Sequence, residues 1–137
     1  MPKVTAYLNF SGNCREAMSF YQQCLGGELS VRLLGEQTEA NQMPTQMKNL
    51  VLHATLINQN LVIMGSDMLG DEGLVKGNAV SLMLHCDNQE EMKEFYQKLS
   101  FEGKQIQPLT QSTFGEWFGD LIDKYNNQWL LYYHQLT

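Results

Sequence analysis

Residues 16–24 read EAMSFYQQC, and residues 91–99 repeat much of this stretch as EMKEFYQKL. A shift of 75 positions places Phe20 on Phe95 and Tyr21 on Tyr96. Each copy follows an apolar run, at 4–10 and 80–86, and precedes a glycine that opens another extended stretch. Because the flanking pattern repeats together with the shared letters, the sequence predicts two copies of one supersecondary unit.

The first copy starts with an alternating strand over residues 3–10, whose inward face is Val4, Ala6, Leu8 and Phe10. Asn13 is the predicted N-cap of the helix that follows, with Glu16 three residues later. That helix stops at Gly26-Gly27. The rest of this copy is predicted as a strand at 28–35, a polar loop at 36–49, and a hairpin of strands at 50–57 and 61–66.

The second copy repeats this order after a glycine-bearing segment at 67–78. It is predicted as a strand at 79–86, a helix at 88–100 with Asp87 as N-cap, and strands near 104–109, 112–121 and 128–135. Each half therefore reads β-α-β-β-β, a twisted sheet with a helix on one face.

The tandem arrangement predicts an α+β fold in one domain, residues 1–137. Module one is expected at 1–67, a linker at 68–78 and module two at 79–137. Together the two modules are expected to form a curved, mixed eight-stranded sheet around a cleft. Small ligands bind in concave, mostly apolar clefts of this kind.

Composition restricts the partners of the chain. Its 137 residues carry a formal charge of −6 and contain no basic run, which argues against nucleic acid and anionic membranes. No apolar run approaches the ~20 residues of a membrane span, and the N-terminus lacks the apolar core of a signal peptide. We expect a cytoplasmic protein in which Cys14, Cys24 and Cys86 are reduced thiols.

Several short sequence motifs, in the same order along the chain, resemble those of the vicinal oxygen chelate (VOC) superfamily. This superfamily includes glyoxalase I, extradiol dioxygenases, and bleomycin and fosfomycin resistance proteins. The motifs are most similar to those of its PhnB-like branch, some of whose members carry a 3-demethylubiquinone methyltransferase label. The six motifs are YLNFSGNCREAMSFY at 7–21, GGEL at 26–29, HATLI at 53–57, MGSD at 64–67, GKQIQPL at 103–109 and FGEWFGDLIDKYNNQW at 114–129. The first and the last of them are the most specific.

The resemblance also shows where metal ligands would stand in the metal enzymes of the superfamily, one on each of four strands. These positions fall near Thr5, Ile63 or Met64, Ser81, and Leu130 or Leu131. Zn, Fe and Ni sites need three or four converging donors such as imidazole or carboxylate. The chain thus departs from the metalloenzyme pattern, and we predict no metal and no other cofactor.

His53, the first residue of the HATLI motif, is the candidate catalytic residue, because a neutral imidazole can accept a proton near pH 7. The alternative is a buried imidazole that hydrogen-bonds the backbone. Trp117 stands between Gly115 and Gly119, which leave room for a ligand. The predicted ligand-binding residues are Thr5, Tyr7, Asn9, His53, Ser81, Met83, His85, Trp117 and Trp129.

Three functions remain open from the sequence. The first is a metal-free protein that binds a small, partly apolar molecule, with or without catalysis by His53. The second is a metal-dependent lyase, isomerase or dioxygenase with a non-standard site around His53 and His85. The third is a scaffold whose cleft is filled by its own side chains. A homodimer is expected from the resemblance, whereas methyl transfer is disfavoured because no Gly-x-Gly-x-Gly loop follows a strand.

Overall fold

The computed structural model describes residues 2–36, 43–68 and 73–134, and it contains the βαβββ unit twice. The chain divides into two compact units between Val75 and Lys76, inside the predicted linker. The predicted α+β class is confirmed. The eight strands hydrogen-bond as two four-stranded sheets, one in each unit, where one sheet of eight had been expected.

The first unit begins with β1 (Ala6–Phe10), α1 (Cys14–Leu25) and β2 (Glu28–Leu33). A short 3-10 turn (Leu34–Glu36) follows. The stretch predicted as a loop contains a short helix, α2 (Thr45–Lys48). The unit closes with β3 (Val51–Asn58) and β4 (Leu61–Asp67). Its strand order is β1-β4-β3-β2, with β1 parallel to β4 and the other pairs antiparallel.

The second unit has the same order of elements. Its strand order is β5-β8-β7-β6, with β5 parallel to β8. It contains β5 (Leu82–His85), α3 (Gln89–Leu99), β6 (Lys104–Gln111), β7 (Glu116–Ile122) and β8 (Gln128–His134).

Helix α1 covers one face of the first sheet. A Cβ atom added to Gly65 would lie 3.2 Å from the ring of Phe10 and 3.5 Å from Sγ of Cys14, the first residue of α1. Gly65 pairs with Leu8 on β1 and Ala54 on β3, so these residues share the covered face. The odd-numbered residues of β1 therefore lie on the opposite, open face.

Helix α3 covers one face of the second sheet in the same way. It buries Met92, Tyr96 and Leu99, and the Tyr96 hydroxyl donates to the carbonyl oxygens of Gln107 and Asp120, at 2.9 and 3.1 Å. Tyr96 and Tyr21 hold the same position in the two repeat copies, and both are buried. The motif shared by residues 16–24 and 91–99 thus contains residues with which each helix packs on its sheet.

The helix starts differ from the sequence predictions. Asn13 makes no side-chain cap; instead Oδ1 of Asp67 accepts from the backbone N–H of Gly12 and of Cys14, both at 2.9 Å. In α3 the N-cap is Asn88 rather than Asp87, and its Oδ1 accepts from Glu91 N–H at 2.7 Å. A residue distant in sequence can thus replace the local cap that the pattern suggests.

In the part of the chain that the structure describes, no helix is long and apolar enough to cross a membrane.

Candidate functional site

The open face of the first sheet carries most of the polar residues that the sequence singles out in this unit. Strand pairing places Tyr7 beside Met64, Met64 beside Thr55, and Thr55 beside Ser30, in one row across the sheet. Neighbouring pairs on the same face are Asn9 with Ser66 and His53 with Arg32. We call this surface the first open face, composed of Tyr7, Asn9, Ser30, Arg32, His53, Thr55, Met64 and Ser66.

Tyr7 on β1 and His53 on β3 form a ring pair on the first open face. Their rings stack with centroids 6.1 Å apart and planes inclined by 29°. Thr55 Oγ1 lies 3.1 Å from His53 Nε2, so the hydroxyl orients the imidazole. His53 Nδ1 makes no hydrogen bond to any residue that the structure describes. The ring is therefore held in place with one nitrogen available to a ligand.

Further polar groups flank this pair. Asn9 is exposed on β1, and Tyr7 is 46% exposed. Thr5, directly before β1, is half-buried. Sequence reasoning did not select Arg32, Ser30, Met64 or Ser66. The alternation of β2 would have found Ser30 and Arg32, once its register against His53 was known.

In the second unit, the open face of the sheet carries Met83 and His85. Met83 pairs with Leu130 and His85 with Tyr132. The rings of His85 and Tyr132 meet edge to face at 5.5 Å. Ser81 is exposed directly before β5. Three of the predicted ligand-binding residues thus share one side of this unit.

The structure places Trp129 in the core of the second unit instead. It is 2% exposed and pairs with Leu121 on the face that α3 covers, and its Nε1 donates to Asp123 Oδ2 at 2.8 Å. Trp117 is on that face as well, two positions from Gly119 on β7. Side chains alternate along a strand, so neither tryptophan shares a face with Met83.

Nε1 of Trp117 and Oδ1 of Asp120, both in the second unit, are buried and have no hydrogen-bond partner among the described residues. Buried polar atoms are nearly always paired with protein or water. Asp120 pairs with Leu130 in the sheet, so its carboxylate belongs to the open face with Met83.

The metal positions implied by the superfamily do not fit a metal. The register places Met64 beside Tyr7 and Leu130 beside Met83, so two of the four strands that would supply ligands present a thioether and an aliphatic chain to the open faces. Within residues 2–36, 43–68 and 73–134, no group of three or more His, Cys, Asp or Glu could hold an ion. We derive no chemistry through a metal.

The cysteines are not set up as nucleophiles. All three are buried. Burial, and secondly the charge of Asp67, raises the pKa of Cys14 to about 12. Burial, followed by the charges of Glu91 and Asp87, raises the pKa of Cys86 to about 12. Since the thiolate is the reactive form, thiols with such pKa values are inert near neutral pH.

Comparison with known proteins agrees with this architecture. A family model described as 3-demethylubiquinone-9 3-methyltransferase matches residues 2–132. The chain belongs to this PhnB-like family. Protein YjdN of Escherichia coli K12 is 32% identical over 142 aligned residues, covering 93% of this chain and 92% of YjdN.

Solved structures extend the comparison. Protein PA1353 from Pseudomonas aeruginosa superposes with a TM-score of 0.86 at 28% identity, covering 99% of this chain and all of that one. A Bacillus cereus protein, whose description combines PhnB with 3-demethylubiquinone-9 3-methyltransferase, gives 0.78 at 28% identity, with 96% and 99% covered. A Burkholderia phytofirmans structure described as a glyoxalase/bleomycin resistance protein/dioxygenase family enzyme gives 0.61 at 16% identity, with 95% and 98% covered. The last shows that this chain shares the fold of that protein.

Proposed function

We propose that this PhnB-like protein binds a small, partly apolar molecule on the first open face, without a standard metal site. The observation that carries the proposal is the stacked pair of Tyr7 and His53, in which Thr55 orients the imidazole. An oriented ring with an available nitrogen, next to an exposed aromatic face, suits a ligand that has both a flat apolar part and a polar group.

Each part of the face has a chemical role in this proposal. The Tyr7 ring and the Met64 thioether, paired across β1 and β4, contact the apolar part of the ligand. Asn9, the Tyr7 hydroxyl and His53 Nδ1 hydrogen-bond its polar atoms. A neutral imidazole that Thr55 holds through Nε2 can also accept a proton at Nδ1, so acid–base catalysis by His53 is the reaction that this geometry supports.

Methyl transfer is not part of the proposal, although the family carries that name. Binding of S-adenosylmethionine in the doubly wound manner requires a parallel sheet whose strand leads into a Gly-rich loop. The two sheets described here are mixed, and each is built from a βαβββ unit.

The test uses cinnamate and its neutral counterpart cinnamamide as probes. Both are flat, partly apolar and of single-ring size. Titration calorimetry and amide chemical shifts should show one bound probe per chain, with shifts centred on β1 and β3. Tyr7→Leu should weaken binding about tenfold or more, because it removes the aromatic surface.

Phe101→Leu is the matched control, since it also shortens an exposed aromatic residue, but in the second unit. It should bind the probes as the wild type does. If neither probe binds, or if Tyr7→Leu binds as the wild type does, the proposal is wrong.

A further inference from the structure

Arg32 has a position that the proposed function does not yet use. It pairs with His53 in the register of β2 and β3, so the two side chains leave the sheet on the same face. Arg32 is exposed, and among the described residues it makes no ion pair or hydrogen bond. A guanidinium therefore stands beside the oriented imidazole.

No described residue of this face forms an ion pair with Arg32. Among the other members of the first open face, none is an acidic residue, a lysine or a second arginine. The acidic residue on the same side of β2 is Glu28, which pairs with Ile57; at about 3.3 Å per residue, its Cα atom lies about 13 Å from that of Arg32 along the strand. Glu36, also four residues from Arg32, follows β2 in the 3-10 turn. In a chain of net charge −6, this local excess of positive charge is informative.

We propose that the ligand of the first open face is a small planar anion whose carboxylate, or a comparable anionic group, is bound by Arg32. This inference rests on the proposed function. A guanidinium presents parallel N–H donors that match a carboxylate in a two-point hydrogen bond. His53 contributes a third polar contact, and the ring of the ligand lies toward Tyr7.

The spacing of the sheet limits the size of such a ligand. The strand order places β1 and β2 at opposite edges, three spacings of about 4.8 Å apart. A ligand that contacts both Arg32 and Tyr7 therefore lies across β3 and β4, between the two edge strands.

The experiment compares cinnamate with cinnamamide, which share size and planarity and differ in charge. The wild type should bind cinnamate about tenfold more tightly than cinnamamide, and added salt should reduce this preference. Arg32→Gln should abolish the preference by weakening cinnamate binding alone, whereas Arg32→Lys should keep part of it. Arg15→Gln, which removes another exposed charge, on α1, should leave both affinities unchanged.

The outcomes separate this inference from the proposed function. If the two probes bind equally, or Arg32→Gln keeps the preference, the anion inference is overturned. Binding of cinnamamide that Tyr7→Leu weakens would then leave the proposed function standing. If neither probe binds, the proposed function fails and this inference fails with it.

Discussion

Asp67 is a buried side chain that accepts three backbone hydrogen bonds in the first unit. Its two carboxylate oxygens accept backbone N–H groups from Gly12 and Cys14 before and at the start of α1, and from Val51 at the start of β3, all within 2.9 Å. Asp67 itself ends β4 and is 4% exposed. One buried carboxylate therefore joins the hairpin of β3 and β4 to the start of α1.

Asp67→Asn tests this role. An amide offers only one acceptor oxygen, so at least one buried N–H loses its partner and faces an NH2 group. We expect the free energy of unfolding to fall by about 1–3 kcal/mol, measured by urea denaturation. Asp87→Asn, at an exposed position before α3, should change it by less than about 0.5 kcal/mol. Equal stabilities of the two variants would contradict the assignment.

The buried thiol of Cys14 makes stability dependent on pH at the alkaline end. Its pKa in the folded state is about 12, above the ordinary value of 9.0 that applies when the chain unfolds. The folded state thus holds the proton more tightly. This contribution is complete below pH 9 and is lost as the pH rises from 9 toward 12, by up to about 1.4 kcal/mol per pH unit.

Comparing the wild type with Cys14→Ala isolates this effect, since other groups that titrate in alkali are common to both proteins. The difference in unfolding free energy should be constant below pH 8 and should shrink above pH 9. A difference that stays constant to pH 10.5 would show that the thiol titrates normally in the folded state.

At the scale of single elements, the two units repeat one close contact at the start of their second strand. A Cβ on Gly27 would collide with the carbonyl oxygen of Ile57, and a Cβ on Gly103 would collide with that of Ile122. Gly27 also has a φ of +100°, which side chains rarely adopt. Both glycines let the chain after a helix pass close to the neighbouring strand.

Gly103→Ala should therefore reduce the free energy of unfolding by about 1–3 kcal/mol, because backbone atoms of Ile122 and Asp123 must move. Gly73→Ala is the control, since nothing lies within 4 Å of the added Cβ. Thermal and urea unfolding of both variants measure the difference. A stable Gly103→Ala variant would mean that β6 can shift without cost.

Trp117 on β7 and Trp129 on β8 differ in the hydrogen bonding of their indole N–H groups. Nε1 of Trp129 donates to Asp123, whereas Nε1 of Trp117 is buried with no partner among the described residues. Trp129→Phe should cost about 1–3 kcal/mol of stability and leave cinnamate affinity unchanged. Trp117→Phe should cost clearly less. A loss of probe binding in Trp129→Phe with normal stability would restore the original sequence prediction for this residue.

For the whole molecule, the side chains at the four superfamily ligand positions predict a protein that functions without a bound metal. Elemental analysis of protein purified without a His tag should show less than stoichiometric Zn, Ni, Fe or Mn. Dialysis against a chelator should leave the melting temperature and cinnamate affinity unchanged. Near-stoichiometric metal that His53→Ala and His85→Ala abolish would instead support the alternative metal-dependent enzyme.

Much of the fold was accessible from local patterns. The repeated motif at residues 16–24 and 91–99 predicted α1 and α3. The alternation of residues 3–10 predicted which side of β1 is covered and which is open. The cap of α1 was not accessible, because the acceptor is Asp67, 53 residues from Cys14. The facing of Trp129 was not accessible either, because its place on the covered face of the second sheet follows only from the register against Leu121.

The sequence by itself determined the α+β class, the two βαβββ units and the absence of imidazole or carboxylate at the superfamily's ligand positions. These properties follow from short-range periodicity and from the identity of single residues. Only the tertiary structure decided that Arg32 stands beside His53, that Thr55 orients the imidazole through Nε2, and that Asp67 caps α1. Strand register depends on which side chains pack together across the sheet, and this information is spread over residues far apart in the chain.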